Sequence, residues 1–138
     1  MPTSLEALAQ ALKRAQWRDH RALDAALHAV GTTLVQWDAL RAIDARPAAS
    51  GHELAEATFM SDQAFATLAV RLLRADLVER TPGGGRRLEH HLTAEGRRVL
   101  ADGRRVVVGE LEALFAPLDE AQREQLRALL GALVAGSD

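Results

Sequence analysis

The chain concentrates its positive charge in one segment, where arginine side chains are available to contact phosphate groups. Its 138 residues carry 17 basic and 19 acidic side chains, for a formal net charge of −2. Residues 71–105 nevertheless hold nine basic and five acidic side chains, whereas residues 1–70 hold six and eight, and residues 106–138 hold two and six. Because phosphate contact depends on local rather than total charge, this segment is a candidate nucleic-acid-binding surface.

Eight polar or basic residues in and just before this segment are candidate DNA contacts. Hydroxyl and amide groups at the start of a predicted helix suit phosphates and base edges, because the backbone N–H groups there already favour an anion. Arginines further along the helix and in the following hairpin can bind phosphates or reach a groove. The eight candidates are Ser61, Gln63, Thr67, Arg71, Arg74, Arg80, Arg86 and Arg87.

These candidates also have purely structural interpretations. Ser61 could serve only as a helix N-cap. Arg80 could form an ion pair with Glu79 or Asp76 instead of holding a phosphate. The remaining arginines could be ordinary solvated charges on a helix surface and a mobile turn.

A second group of residues, mostly on the first predicted helix, suits a small organic ligand. An aromatic wall combined with a cation favours a phenolic or carboxylate compound. The members of this group are Trp17, His20, Arg21 and Trp37. His20, Asp24 and His28 also follow one another at four-residue spacing, but eight residues span about 12 Å of helix, so all three cannot reach one metal ion. A solvated or interface polar face is the favoured interpretation of that line, and two ligands completed by another segment are the alternative.

Several kinds of chemistry are excluded by the residues and motifs that the chain lacks. It has no cysteine, which excludes disulfides, thiolate metal sites and cysteine nucleophiles. The glycines at 83–85 are not followed by Lys and Ser or Thr, and neither Gly-x-Ser-x-Gly nor His-Glu-x-x-His occurs. No stretch is long and apolar enough for a membrane helix, and the N-terminus lacks a signal-peptide pattern. We therefore expect a cytoplasmic protein that is not an enzyme, needs no cofactor and has no membrane partner.

Helices must position most of these residues. Aromatic residues make up only 4% of the chain, whereas alanine, leucine and arginine, which favour helix, are abundant. Apolar residues recur at the three- and four-residue spacing of amphipathic helices. The predicted helices cover residues 4–30, 33–45, 51–58, 61–75, 93 to about 117, and 119–136. A β-hairpin over 77–92 flanks a Pro-Gly-Gly-Gly tip, and the run Val106-Val107-Val108 is ambiguous between helix and strand.

The order of these elements predicts a mainly α, winged helix-turn-helix fold in a single domain. Two short helices joined by a tight turn form a helix-turn-helix, whose second helix, 61–75, is sized for a DNA major groove. The basic hairpin 77–92 would be its wing. The DNA-binding core is expected to cover residues 33–97 of a single domain spanning 1–138.

The terminal helices, 4–30 and 98–136, carry more leucine than a monomer of this size can easily bury. Exposed apolar helix faces cause aggregation, and isologous pairing of two copies would cover them. The sequence therefore predicts a homodimer through these helices. Two recognition helices about 34 Å apart would match a palindromic site on double-stranded DNA.

Four short motifs occur in a characteristic order between Thr33 and Leu100. They are Thr33-Leu34-Val35-Gln36-Trp37-Asp38-Ala39-Leu40, His52-Glu53-Leu54-Ala55, Leu72 with Leu77-Val78-Glu79-Arg80, and Leu92-Thr93-Ala94-Glu95-Gly96. Together they resemble the MarR family of winged helix-turn-helix transcriptional regulators. The resemblance implies a homodimer that binds palindromic operators, with repression as the default, and that releases DNA when a small ligand arrives. The thiol-oxidation switch of some relatives is impossible here, since cysteine is absent.

The recognition helix and the hairpin depart from the family pattern. Ala64, Ala66 and Thr67 stand where the family usually has Thr, Thr and Arg, and base readout needs side chains that form hydrogen bonds. Gly84 stands where the wing usually has an Asp, and Asp76 where a Gly usually precedes the first strand. The alternative function is therefore a dimeric ligand-binding or protein-interaction module with weakened DNA recognition.

Two adjacent histidines lie on the second predicted strand and must face opposite sides of it. His90 occupies a position that is usually apolar in the family. We expect it to be half-buried with its hydrogen bonds satisfied, and the alternative is that its titration loosens the wing.

Overall fold

One antiparallel hairpin lies between four helices that precede it and two that follow it in the computed structural model, which describes residues 2–85 and 87–136. In chain order the elements are α1 (Leu5–His28), α2 (Leu34–Ala45), α3 (Gly51–Ala57), α4 (Asp62–Arg74), β1 (Val78–Pro82), β2 (Leu88–Leu92), α5 (Ala94–Phe115) and α6 (Glu120–Ala135). The mainly helical winged fold predicted from the sequence is confirmed. The Val106-Val107-Val108 run is helical and lies inside α5.

Polar side chains cap the start of every helix and explain where each one begins. In each case the side chain of the cap accepts a hydrogen bond from the backbone N–H three residues further on, which satisfies a donor that has no partner within the helix. The caps are Ser4, Thr33, Ser50, Ser61, Thr93 and Asp119. Ser50 with Glu53, and Asp119 with Gln122, form complete capping boxes.

A left-handed residue turns the chain from α4 into β1. Asp76 has a φ of 57°, a conformation that Asp tolerates better than most residues. The turn brings Leu77 N–H to the Leu72 carbonyl at 3.0 Å. Thr93 closes the hairpin on the same turn, since its hydroxyl donates to the Asp76 carbonyl at 2.6 Å. The turn survives the replacement of the usual glycine.

The core joins the helix-turn-helix to the long helices. The largest fully buried side chains come from four different helices: they are Leu27, Leu40, Leu54, Phe65 and Leu72. Trp37 lies between α2 and α5, and its indole N–H donates to the Leu100 carbonyl at 3.1 Å. Gly103 makes this contact possible, because a Cβ there would overlap the indole ring. The helix therefore has a glycine in its middle for a packing reason.

The hairpin is joined without a break to the long helix that follows it. Val78 pairs with Leu92 and Arg80 with His90 in its antiparallel register, and α5 begins at Ala94. The predicted boundary at residue 98 between the DNA-binding core and the dimerisation helices therefore falls inside α5. A movement of α5 would be transmitted directly to the hairpin.

The terminal helices leave apolar side chains exposed. Leu5 is 84% exposed and Leu8 56% exposed in α1, and Leu129 and Val134 are 59% and 71% exposed in α6. None of the sixteen residues of α6, all within the described part of the chain, is buried. Among the described residues, no helix has the length and apolar character that crossing a membrane requires.

Candidate nucleic-acid interface

The second helix of the helix-turn-helix, α4, presents an unobstructed outer face. Its inner face is formed by Phe65, Leu68, Ala69 and Leu72, all of which are buried. The outer face is formed by exposed residues at helical spacing. They are Gln63, Ala66, Thr67, Val70, Arg71 and Arg74. This face, which we call the α4 stripe, is where a DNA groove would be contacted.

The polar residues at the start of α4 already have hydrogen bonds within the chain. The Ser61 hydroxyl accepts from Ala64 N–H at 3.1 Å, which is the N-cap alternative considered above. The Thr67 hydroxyl donates to the Gln63 carbonyl at 3.1 Å. Both hydroxyl oxygens keep a lone pair for a second donor, while the exposed Gln63 amide keeps its full hydrogen-bonding capacity.

Three of the predicted arginine contacts are not occupied by carboxylates. Arg71, Arg74 and Arg80 have no ion-pair partner within residues 2–85 and 87–136. The suggested pairing of Arg80 with Glu79 or Asp76 is therefore wrong. Their guanidinium groups are exposed and can bind phosphates without first leaving an intramolecular partner.

Arg87 is in a different situation from these three. Its Nη2 lies 2.6 Å from the Glu53 carboxylate and donates to the Ala48 carbonyl at 3.1 Å. The tip of the hairpin is thereby connected to the start of α3. The interpretation of Arg87 as a solvated turn residue is wrong, and a DNA contact from Arg87 stays a prediction. Arg86, its predicted companion, lies outside the described residues.

A histidine that the sequence did not single out lies beside the α4 stripe. His52 Nδ1 is 2.9 Å from an Asp62 oxygen, and its Nε2 is 3.0 Å from Glu56. The hydrogen bond to Asp62, followed by the charges of Asp62 and Glu56, raises the pKa of His52. When protonated, His52 neutralises negative charge at the edge of the interface. Only its four-residue spacing from Glu56 is visible in the sequence.

His90 lies below a cleft between the helix-turn-helix and the hairpin. The cleft has a volume of about 370 Å³ and is lined on opposite sides by Phe65 and Arg80. His90 is only 4% exposed, packs edge-on against Phe65, and has Nδ1 at 3.3 Å from the Ala49 carbonyl. Burial is the main cause that lowers the pKa of His90. The side chain is more deeply buried than the sequence predicted, and its hydrogen bond is present.

The four residues predicted to form one ligand site line two separate cavities. His20 and Trp37 line a cavity of about 610 Å³ between α1, α2 and α5. Trp17 and Arg21 line a shallow groove elsewhere on α1, where the Arg21 guanidinium lies 5.9 Å from the Trp17 ring centre. Trp37 is also buried, with its N–H already donated to a carbonyl. Trp17 also stacks on His20, with ring centroids 6.5 Å apart, so Trp17, His20 and Arg21 lie together and Trp37 lies apart from them. Ligand binding by these residues stays a prediction.

The His20, Asp24 and His28 line has structural partners. Asp24 Oδ1 accepts from Leu34 N–H at 2.9 Å, which connects α1 to the start of α2. His28 Nδ1 lies 2.7 Å from the Asp24 carbonyl oxygen. Within the described residues, no group of three or more His, Asp or Glu side chains is arranged to hold a metal ion.

Known proteins with this arrangement are regulators of transcription. A family model described as MarR family matches residues 30–87. A MarR family protein of Mycobacterium tuberculosis in complex with salicylic acid is 29% identical, with a TM-score of 0.73 over 96% of this chain and 97% of that one. Over residues 30–87 the chain is similar to the MarR family, and its fold is shared with regulators of that family.

Two further structures support this similarity. A probable transcriptional regulator from Pseudomonas aeruginosa is 27% identical, with a TM-score of 0.81 over 91% of this chain and 95% of that one. The transcriptional repressor CouR, bound to a 23-mer DNA duplex, is 25% identical, with a TM-score of 0.83 over 97% and 99%. Among proteins with curated descriptions, none matches this sequence.

The MarR motifs have clear structural roles in this chain. The final Leu-Thr-x-x-Gly motif places Thr93 as the cap of α5 and brings Gly96 against the Leu77 carbonyl, where a Cβ would clash. The Trp37 position of the first motif packs α2 on α5. Two departures from the MarR pattern, Ala64 and Ala66, lie on the outer surface, whereas a third, His90, is buried.

Proposed function

We propose that this chain is a homodimeric, sequence-specific DNA-binding transcriptional regulator that represses promoters and is relieved by a small ligand. The observation that carries the proposal is the exposed α4 stripe with its unpaired arginines Arg71 and Arg74. The unpaired Arg80 of the hairpin shares a cleft with Ala66 of the same stripe. A convex helix of this size with unpaired cations at one end suits the major groove and its flanking phosphates.

Each predicted contact has a role in this arrangement. Gln63 and Thr67 lie on the stripe at the start of α4 and would face base edges, with Ser61 close to a phosphate at the helix N-terminus. Arg71, Arg74 and Arg80 would hold phosphates on either side of the groove. Arg86 and Arg87 of the hairpin would contact the adjacent minor groove or backbone.

The Arg87 contact requires an exchange of partners. In the free protein the guanidinium lies between the Glu53 carboxylate and the Ala48 carbonyl. A phosphate would have to displace Glu53 or share the guanidinium with it. The DNA contribution of Arg87 is therefore expected to be smaller than that of the unpaired Arg71.

Dimerisation is supported by the apolar faces of the terminal helices. Pairing of two copies about a twofold axis would bury apolar side chains that are exposed in the single chain, among them Leu5, Leu8 and Leu129. A helix such as α6, with no buried residue of its own, gains its stability through such packing. The pair would set two α4 stripes on one face for a palindromic operator.

Ligand relief is supported by the cavity between α1, α2 and α5. Its volume of about 610 Å³ is of the size that binds small organic molecules. Because α5 continues directly from the hairpin, a ligand that favours one position of α5 would change the spacing of the two wings. The ligand acts only as far as it binds the DNA-free arrangement more tightly than the DNA-bound one.

Replacing the two unpaired arginines of α4 tests the DNA-binding proposal. In the double variant Arg71→Gln and Arg74→Gln, a dimer loses up to four phosphate contacts, so the slope of log K against log salt should shallow by about 3 to 4. Fluorescence anisotropy with a labelled duplex at several salt concentrations measures this slope. Arg104→Gln is the matched control, because Arg104 is exposed ten residues into α5. Equal slopes for the double variant and the wild type would refute the interface.

A dimeric ligand-binding or protein-interaction module with weakened DNA recognition is the second candidate. The exposed Ala64, Ala66 and Val70 favour it, because they offer no hydrogen bond to a base. Such a protein would bind all duplexes alike, with salt-dependent affinity and no preferred sequence. Comparison of selected and random duplexes separates the two candidates.

A further inference from the structure

The cavity between α1, α2 and α5 combines a mainly apolar wall with several polar side chains. The polar residues are Gln16, Asp19, His20, Asp38, Arg41 and Thr58. Its walls are mainly aliphatic and aromatic side chains. They include Leu23, Leu34, Val35, Trp37, Val107 and Leu111. Phe59, which is 93% exposed in the turn between α3 and α4, stands at its rim. In such a cavity a buried polar atom without a hydrogen-bond partner is costly, so a ligand that supplies the missing partner is favoured.

Asp19 supplies a polar group without a partner. Its side chain lines the cavity, and Oδ1 is buried with no hydrogen-bond partner among the described residues. A buried acceptor without a donor destabilises the protein, and a buried carboxylate does so more strongly. Burial raises the pKa of Asp19, and the positive charge of nearby His20 opposes that rise. A ligand that donates a hydrogen bond to Asp19 Oδ1 would therefore remove this destabilisation.

The arginine of the cavity does not compensate Asp19. Arg41 also lines the cavity, but its Nε and Nη2 lie 2.8 and 2.7 Å from Asp38 Oδ1. Arg21, which the sequence predicted as the cation of the ligand site, lies in the groove with Trp17 instead. Because Asp38 pairs with Arg41, His20 is the other lining side chain that can carry a positive charge, and it makes no hydrogen bond to Asp19 Oδ1.

We propose that the ligand of this cavity is an apolar molecule bearing a protonated amine, which donates a hydrogen bond to Asp19 Oδ1. The proposal rests on the proposed function only in taking the cavity as the effector site. The aromatic rings of Trp37 and Phe59 favour the same class, because a cation is attracted to the face of an aromatic ring. A carboxylate ligand, one of the two classes expected from the sequence, would bring a second negative charge to an unpaired carboxylate. A phenol, the other class, is neutral at pH 7 and would bring no positive charge to balance Asp19. This chain would thus differ in ligand charge from its relative that binds salicylic acid.

A matched pair of ligands tests the sign of the charge. Isothermal titration calorimetry on the full chain without DNA compares 2-(1-naphthyl)ethylamine with 1-naphthylacetate, which have the same ring system and opposite charges. Asp19→Asn removes the charge with little change in shape. Asp44→Asn makes the same change at an exposed position of α2 outside the cavity. We expect the amine to bind, the carboxylate not to bind, and Asp19→Asn alone to weaken the amine by about tenfold or more.

Several results would overturn the proposal. The first is tighter binding of the carboxylate than of the amine, and the second is equal binding of the amine by the wild type and Asp19→Asn. No detectable binding of the amine at millimolar concentration would also contradict it. A loss of dimer in sedimentation of Asp19→Asn would show that Asp19 pairs with a cation of a second copy. Because calorimetry needs no DNA, these outcomes are distinct from a failure of the DNA-binding proposal.

Discussion

Gly103 determines how closely α5 approaches Trp37, and its replacement by alanine should destabilise the protein. A methyl group at this position would overlap the indole ring and would lie 2.9 Å from Leu27 Cδ2. Overpacking of this kind costs about 1–3 kcal/mol, while the better helix propensity of alanine returns up to about 1 kcal/mol. We expect a net loss of up to about 2 kcal/mol in the free energy of unfolding.

Gly109 offers a matched control in the same helix. It is exposed, and a Cβ there would meet nothing within 4 Å, so Gly109→Ala should gain about 0.5–1 kcal/mol from helix propensity alone. Urea denaturation followed by circular dichroism, at one fixed protein concentration, measures both variants. A Gly103→Ala protein as stable as Gly109→Ala would refute the close packing of Trp37 on α5.

The remaining predictions concern two histidines and one turn. Burial lowers the pKa of His90, so the unfolded chain binds a proton below about pH 6.5 that the folded chain does not, and the free energy of unfolding falls from pH 7 to pH 5. In His90→Leu this fall should be smaller. An equal fall for both proteins in urea denaturation would contradict the prediction. His52→Gln should weaken the pH dependence of DNA affinity. The raised pKa of His52 keeps its imidazole protonated at low pH, where its positive charge offsets the negative charges of Asp62 and Glu56. As the pH rises this positive charge is lost, so the DNA affinity of the wild type should decline. Identical pH profiles of anisotropy for His52→Gln and wild type would exclude this role. Asp76→Gly should stabilise the protein by up to about 1 kcal/mol in thermal denaturation, since its φ of 57° suits glycine better; a loss of stability would show that the Asp side chain stabilises the turn.

Features that depend on neighbours along the chain could be predicted from the sequence. The helix starts follow from Ser, Thr and Asp residues placed before amphipathic runs, and the capping box at Ser50 and Glu53 is complete in the structure. These interactions span three or four residues, so composition and spacing are enough to predict them.

Features that depend on how helices rotate and pack could not be predicted in this way. The ion pair between Arg87 and Glu53 joins residues 34 positions apart, and no local pattern indicates it. Trp17, His20 and Arg21 lie together on α1, whereas Trp37 was wrongly grouped with them, because only the packing of α2 on α5 shows that its ring is buried. Asp19 was missed because its unpartnered oxygen is visible only once α1 is packed.

The most direct test of the proposed regulator is the affinity of the purified protein for selected and random-sequence duplexes at two salt concentrations. Selection from a random library first yields the preferred sequence, and anisotropy titrations then give both dissociation constants. The proposal predicts a palindromic preferred site, bound at least about a thousandfold more tightly than random DNA, with both affinities falling as salt rises. Equal affinity for selected and random duplexes would contradict sequence-specific regulation. That result would instead support the second candidate, a module with weakened DNA recognition in which Ala64 and Ala66 form no hydrogen bonds to bases.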